Sequence, residues 1–271
     1  MGSVGPRRGC FSMWRTIRPG DGPGDGDLGE LKKMAMETGR PHSFGDLPLW
    51  SDDGGPSVPN PTYLVRNYAY LIEQRGDPGG LAVLDVGPGL GRNVFPLLDR
   101  GMRVAAAEPD ERMRAILWRF ARKWGVSDRL SVLDSTYQSL RLTDGAYDGL
   151  VSTGSAQFLG TGEAACGFFD RARKAMKPGG VLLLEANNSR DEYSRRAASR
   201  PGSMFYVPAG DDVLRMAEGG GWEVLNFEPD RQVPWRGAFA GEYNRRYMEA
   251  HAGAPEIAFR NKTYLVARNS T

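Results

Sequence analysis

Histidine and cysteine are nearly missing from this 271-residue chain, which holds only His42, His251, Cys10 and Cys166. Two cysteines cannot build a disulfide framework, and both read as free thiols of a reducing compartment. There is no CxxC and no cluster of His and Cys, so no metal is expected. No run of about 18 apolar residues occurs, so no membrane-spanning helix is expected. Met1 to Glu30 is broken by Gly, Pro and Asp and has no apolar signal-peptide core, which makes the cytoplasm the expected location. Net charge is +2 and no basic run stands out, so nucleic acid is not an expected partner.

Hydrophobic residues make up 40% and charged residues 25%, the profile of a globular protein long enough for one large α/β domain with its own core. Residues 1–40 are rich in Gly and Pro and read as a flexible arm, because ordering them would bury little. Residues 41–80 read as a cap, with Phe44, Leu47, Leu49 and Trp50 set among turn formers. Within it, Pro61-Thr62 opens a helix through Tyr63, Val65, Tyr68, Leu71 and Ile72.

From 81 to 271 a regular core is expected. Apolar strand-like runs at 81–86, 103–107, 130–133, 148–152 and 181–185 alternate with helical patterns at 93–100, 110–124 and 162–176. A helix at 211–218 and strands at 222–227 and 263–267 complete the series. Such alternation calls for a mostly parallel sheet with helices on both faces. The stretch at about 229–261, with one helix-like piece at 242–251, is long for a connection and reads as an inserted cover over a substrate pocket.

The strongest local signal is Val83-Leu84-Asp85-Val86-Gly87-Pro88-Gly89-Leu90-Gly91-Arg92-Asn93: a buried strand, a glycine turn, then a helix. Glycines there let backbone approach a ligand and take positive φ. A dinucleotide site wants G-x-G-x-x-G. Here the third glycine comes at Gly91 and Arg92 fills the position a dinucleotide site needs, which disfavours a nicotinamide cofactor.

This loop resembles the cofactor motif of class I S-adenosylmethionine-dependent methyltransferases, an acidic residue followed by G-x-G-x-G. The resemblance continues in Ala105-Ala106-Ala107-Glu108-Pro109, Leu133-Asp134-Ser135, Tyr147 to Thr153, and Met176-Lys177-Pro178-Gly179-Gly180-Val181, covering roughly residues 80–190. It implies a Rossmann-like seven-stranded sheet whose last strand is antiparallel, and S-adenosyl-L-methionine as cofactor. It also implies a cofactor site of Asp85, Gly87, Pro88, Gly89, Gly91, Glu108, Pro109, Asp134, Ser135 and Thr153. Glu108, 23 positions after Asp85, would take the ribose hydroxyls, and Asp134 the adenine amino group. Pro88 departs from the small residue common in the family. The absence of an N-P-P-Y-type motif after the fourth strand argues against the enzymes that methylate nucleic-acid amines.

Methyl transfer from a sulfonium needs alignment and exclusion of water more than it needs a catalytic group, so catalytic residues leave a weak footprint. Tyr63 and Arg66 are candidates for the cofactor's carboxylate. Tyr137, Asn188 and His251 are the catalytic candidates, and either His42 or His251 could act as a base. Gln157, Asn187, Tyr206, Trp235, Arg245 and Arg246 are candidates for substrate. The mix of Arg and aromatics at Trp235, Arg236, Tyr243, Arg245, Arg246, Tyr247 and Arg260, with Arg195 and Arg196, suits an anionic or aromatic metabolite. The expected function is methylation of a small-molecule acceptor, such as an anionic or aromatic metabolite of a biosynthetic pathway, by a monomer or homodimer. The alternatives are an RNA or protein methyltransferase, or a non-methylating S-adenosylmethionine-binding protein such as a cyclase.

Overall fold

The computed structural model describes residues 61–201, 203, 205–234 and 259–270. Two short helices, α1 (Tyr63–Tyr68) and α2 (Tyr70–Glu73), precede strand β1 (Ala82–Val86). Then follow α3 (Val94–Asp99), β2 (Arg103–Ala107), α4 (Glu111–Lys123), β3 (Leu130–Leu133) and β4 (Tyr147–Thr153). The second half holds α5 (Gly162–Ala175), β5 (Met176–Asn187), α6 (Glu192–Ala198), α7 (Gly210–Gly219), β6 (Trp222–Pro234) and β7 (Phe259–Asn269). The strands form one seven-stranded sheet in the order β3-β2-β1-β4-β5-β7-β6. Strands β1 to β5 pair in parallel. β7 runs antiparallel to both of its neighbours, β5 and β6. This is the expected Rossmann-like sheet, and the antiparallel strand is the last one.

Helix patterning explains the two layers. In α4, Met113, Ile116, Leu117, Phe120 and Ala121 are buried at helical spacing, while the Asp110 side chain caps the Arg112 and Met113 amides. Phe120 and Phe95 then pack around Trp124. This layer, with α1 and α3, covers the sheet face lined by Val83, Val104, Val151 and Leu183. In α5 the buried set is Ala165, Phe168, Phe169, Ala172 and Ala175, and Thr161 caps the start. With Val213 and Ala217 of α7, these cover the opposite face, lined by Leu84, Leu150, Leu182 and Leu184. Alternate residues of each strand thus serve separate cores.

Four expectations are corrected. The single helix over 61–72 is interrupted at Ala69, where the Ile72 amide bonds the Ala69 carbonyl and tightens the turn. Helix α6 was not expected, although Asp191 caps it through the Ser194 amide. The turn expected at 177–180 lies inside β5, where pairing skips from Tyr147–Met176 to Gly149–Val181. Strands β5, β6 and β7 run 12, 13 and 11 residues. They therefore take over both ends of the insertion expected at 229–261.

The extra strand length carries charge that hides an alternating pattern. Arg231 pairs with Glu228, Arg260 with Asp191 and Lys262 with Glu185. The arm at 1–40, residues 41–60 of the cap and the helix-like piece at 242–251 lie outside the described residues, as do Cys10 and His42. No described helix is long and apolar enough to cross a membrane.

Candidate functional site

The carboxyl ends of β1, β2 and β4 bring the glycine loop together with two buried carboxylates. Gly87 and Gly91 take φ of 72° and 89°. A Cβ at Gly87 would lie 2.5 Å from the Ser155 Cβ, and one at Gly91 would lie 2.4 Å from the Phe95 ring. Both positions therefore require glycine for space as well as for conformation. The Gly87 amide donates to the Ala107 carbonyl at 2.9 Å, which fastens the loop to the end of β2.

Glu108 sits just past that end, with 7% of its surface exposed. One carboxylate oxygen accepts the Gly89 amide at 3.1 Å and the other the Asp110 amide at 3.0 Å. Each oxygen keeps a lone pair for a ligand hydroxyl. Burial raises the Glu108 carboxyl above its ordinary range, partly offset by those two amides. Asp85 is 1% exposed, and its Oδ2 is buried with no hydrogen-bond partner. Burial first, then the Glu108 charge, pushes its carboxyl up to about 8. A buried acceptor without a donor is unfavourable by about 1–3 kcal/mol; a ligand that donates there would remove the deficit.

Arg114 braces the adjoining edge. Its guanidinium donates to the Glu108 and Pro109 carbonyls and to Asp134 at 2.9 Å. The Asp134 side chain is otherwise largely exposed. Two neutral networks fix the rest of the rim. Asn93 accepts the Thr62 amide and hydroxyl at 3.0 and 2.9 Å and donates to Thr153 at 2.7 Å, tying the cap to the loop and to β4. The Tyr137 hydroxyl meets Ser152 at 2.6 Å and Ser155 at 2.7 Å, and Ser155 donates to the Val86 carbonyl. Thr62, Asn93, Ser152 and Ser155 were missed as site residues because small polar side chains after strands read as ordinary turn formers.

Residues 84–184 match the model of a protein family described as "Methyltransferase domain". That stretch holds the glycine loop, Glu108 and Asp134, and over it the chain is similar to methyltransferases. A sterol 24-C-methyltransferase of Aspergillus fumigatus is 24% identical over 197 residues, 66% of this chain and 51% of that protein. The chain thus spans about half the length of the curated relatives it matches. The geranyl diphosphate C-methyltransferase of Streptomyces coelicolor A3(2) shares the fold with a TM-score of 0.54 at 14% identity, over 74% of this chain and 76% of that one. The 1,6-didemethyltoxoflavin-N1-methyltransferase of Burkholderia thailandensis does so with a TM-score of 0.52 at 16% identity, over 77% and 78%.

On this sheet the remaining candidates separate. Gln157 lies in the turn after β4, with 5% of its surface exposed. Its Nε2 donates to the Gly154 carbonyl at 2.7 Å, while its Oε1 is buried without a partner. Tyr206 comes beside it, its amide donating to the Gln157 carbonyl at 2.8 Å. Asn187 ends β5 opposite Lys262 of β7. Arg66 is exposed in the last turn of α1. Ser135 directly follows Asp134 at the exit of β3, half-buried.

Several residues have other tasks. Tyr63 donates to Glu228 at 3.1 Å and lies beneath the Arg231 guanidinium, so its hydroxyl is engaged away from the glycine loop. Tyr137 is buried and bonded to two serines, and burial raises its hydroxyl well above the ordinary range, so it holds its proton. Asn188 donates to the Pro229 carbonyl and accepts the Arg190 amide, which makes it a tie between strands. Arg260 is buried, with its Nε donating to Asp191 at 2.8 and 3.1 Å and its Nη2 to Ser194 at 3.3 Å, so it is engaged inside the fold. Arg196 pairs with Glu192 one helical turn away. Trp235, Arg236, Tyr243, Arg245, Arg246, Tyr247 and His251 lie outside the described residues.

Proposed function

We propose that this protein is an enzyme that binds S-adenosyl-L-methionine on the loop from Asp85 to Gly91 and transfers its methyl group to a small-molecule acceptor. The observation that carries the reading is the unpartnered, buried Asp85 oxygen beside the loop, next to a Glu108 whose two oxygens are already oriented by backbone amides. A cationic amino-acid end fits the first and a ribose diol fits the second. Asp134 and Ser135, at the exit of β3, would take the adenine edge. Pro88, Gly89 and Pro109 shape the floor between them.

When bound, the cofactor would supply an electrophilic methyl carbon on a sulfonium leaving group. The chain's own part is to hold it, orient it and keep water out. The turn after β4 does the last, with Phe158 packed edge-on against Phe205 of the segment that follows α6. No general base is assigned, since Tyr137 keeps its proton and a base is needed only for a protonated nucleophile. Asn187, Gln157 and Tyr206 are the described candidates for substrate, with Trp235, Arg245 and Arg246 retained as candidates for an anionic or aromatic acceptor. The sterol, geranyl diphosphate and didemethyltoxoflavin named in the relatives are all small molecules, which favours this class over RNA or protein. The cytoplasm and a biosynthetic pathway remain part of the proposal, as does a monomer or homodimer.

Methyl-labelled S-adenosylmethionine, incubated with the protein and separate small-molecule, RNA and protein fractions of a cell extract, tests it. Label should enter the small-molecule fraction and fail to do so with Glu108→Ala. Label in RNA or protein would select the alternative acceptor class. Conversion of the cofactor with no label transferred would select a cyclase-type reaction.

A further inference from the structure

We propose that the amino-acid end of the cofactor enters by displacing a proton held on Asp85, so that each binding event releases one proton to solvent. This rests on the cofactor reading above and concerns what that site does before and during binding.

The geometry comes from the sheet. Asp85 is the last residue but one of β1, with Ala106 of β2 and Val151 of β4 in register on either side. Both neighbours are buried and apolar, so neither strand offers its carboxylate a donor. Among the described residues, the charged and titratable groups around it give no compensating cation. Glu108 at the end of β2 is a second carboxylate, and the Tyr137 hydroxyl comes from the loop after β3. α1 and α3 bring Thr62 and Asn93, which are neutral and bonded to each other. β4 brings Thr153, already bonded to Asn93. β5 and β7 bring Glu185 and Lys262, which neutralise one another. Arg92, in the same loop, has interactions of its own.

Asp85 Oδ2 is thus a dry acceptor beside a like charge, and the protonated carboxyl is the favoured apo form. The raised value of about 8 agrees with that arrangement. An ammonium ligand reverses the preference, because a fixed positive charge stabilises the carboxylate. The carboxyl proton then goes to buffer, the ligand keeps all three ammonium hydrogens, and no covalent bond of the ligand changes. Buried charge is balanced before binding, with neutral acid, and after it, with an ion pair.

Calorimetric titration of S-adenosylhomocysteine at pH 7 in phosphate and in Tris tests the exchange, since the two buffers differ in ionisation enthalpy. The apparent binding heat should shift between buffers by an amount equal to nearly one proton released. 5′-Methylthioadenosine, which keeps the nucleoside but lacks the ammonium, should show almost no shift on the same protein. In Asp85→Asn the shift for S-adenosylhomocysteine should vanish. Wild-type affinity should rise about tenfold per pH unit from 6 to 7, as linkage to one released proton requires, and that of the variant should stay flat. The buffer comparison on the wild type needs no variant, so misfolding of Asp85→Asn would not blunt it. Binding without a buffer shift, or an equal shift in Asp85→Asn, overturns the exchange and leaves the cofactor reading standing. No binding at any pH by the folded wild type overturns both.

Discussion

The two halves of the sheet are built on different terms. In the first half, β1, β2 and β3 have 5, 5 and 4 residues, pair in unbroken parallel register and end together beside the glycine loop. In the second half, β5, β6 and β7 have 12, 13 and 11 residues, pair antiparallel through β7 and shift register in two places between β6 and β7. The first half puts its polar residues where a ligand would complete them: Asp85 lacks a partner and Glu108 has open lone pairs. The second half pairs its buried carboxylates, since Asp191 and Glu185 each have a buried cation. Among the buried carboxylates, an unmet oxygen in one half and paired ones in the other fit a binding site beside a scaffold.

Substitutions in the two halves should therefore behave differently. The largest effect is expected from Arg260→Ala, which strands the fully buried Asp191 carboxylate. Breaking one partner of such a pair destabilises by about 3–5 kcal/mol, to be read as a drop in the urea midpoint. Burial pushes Asp191 up, but Arg260, Ser194 and the Ser194 amide outweigh it and hold the carboxyl below its ordinary range. The stability it contributes is therefore present at neutral pH and is lost as pH falls through that lowered value.

Gly91→Ala comes next. It meets the Phe95 ring at 2.4 Å and Leu117 at 2.8 Å at a φ of 89°. A loss of about 2–4 kcal/mol is expected from overpacking and strain together, with cofactor binding abolished in the fraction that folds.

Asp85→Asn has the opposite sign and sharpens the contrast most. The folded carboxyl keeps its proton toward about 8, whereas the unfolded one loses it in the ordinary range. The unfolded chain then binds fewer protons, so wild-type stability falls as pH rises across that window. The variant, which cannot titrate, should be more stable by about 1–2 kcal/mol at pH 8, with a smaller gain at pH 5. A thermal-melting series in both proteins checks it. If Asp85→Asn is less stable at pH 8, the site half is scaffold too.

Asp110→Ala should have the smallest effect. It removes the cap on Arg112 and Met113, for about 1 kcal/mol, and urea denaturation reads it directly.

The same division set what could be read from sequence. The glycine loop, Glu108 and the helices over 94–99, 111–123 and 162–175 are local patterns, with motif, cap and periodic apolar face lying within a few residues of each other. Asp110 and Thr161 cap the last two of these helices through amides two or three positions away, a signal as local as the apolar face. The second half depends on partners far apart in sequence. Glu185 finds Lys262 and Asp191 finds Arg260 across strand pairing that no local pattern encodes. Arg260 accordingly read as a free anion fork when it is an internal clamp. Tyr63 and Tyr137 read as pocket residues because an aromatic with a hydroxyl looks the same whether it faces a ligand or a neighbouring side chain. The missed α6 is a different case, since Asp191 before Glu192 was a legible cap followed by too short an apolar pattern to count.

The most direct test is calorimetric titration of S-adenosylhomocysteine into the wild type and Glu108→Ala. Binding in the micromolar range, weakened at least about tenfold in the variant, or about 1.4 kcal/mol, is the expected result. No binding by a folded wild type, or equal affinity in Glu108→Ala, would contradict the assignment of this loop to the cofactor.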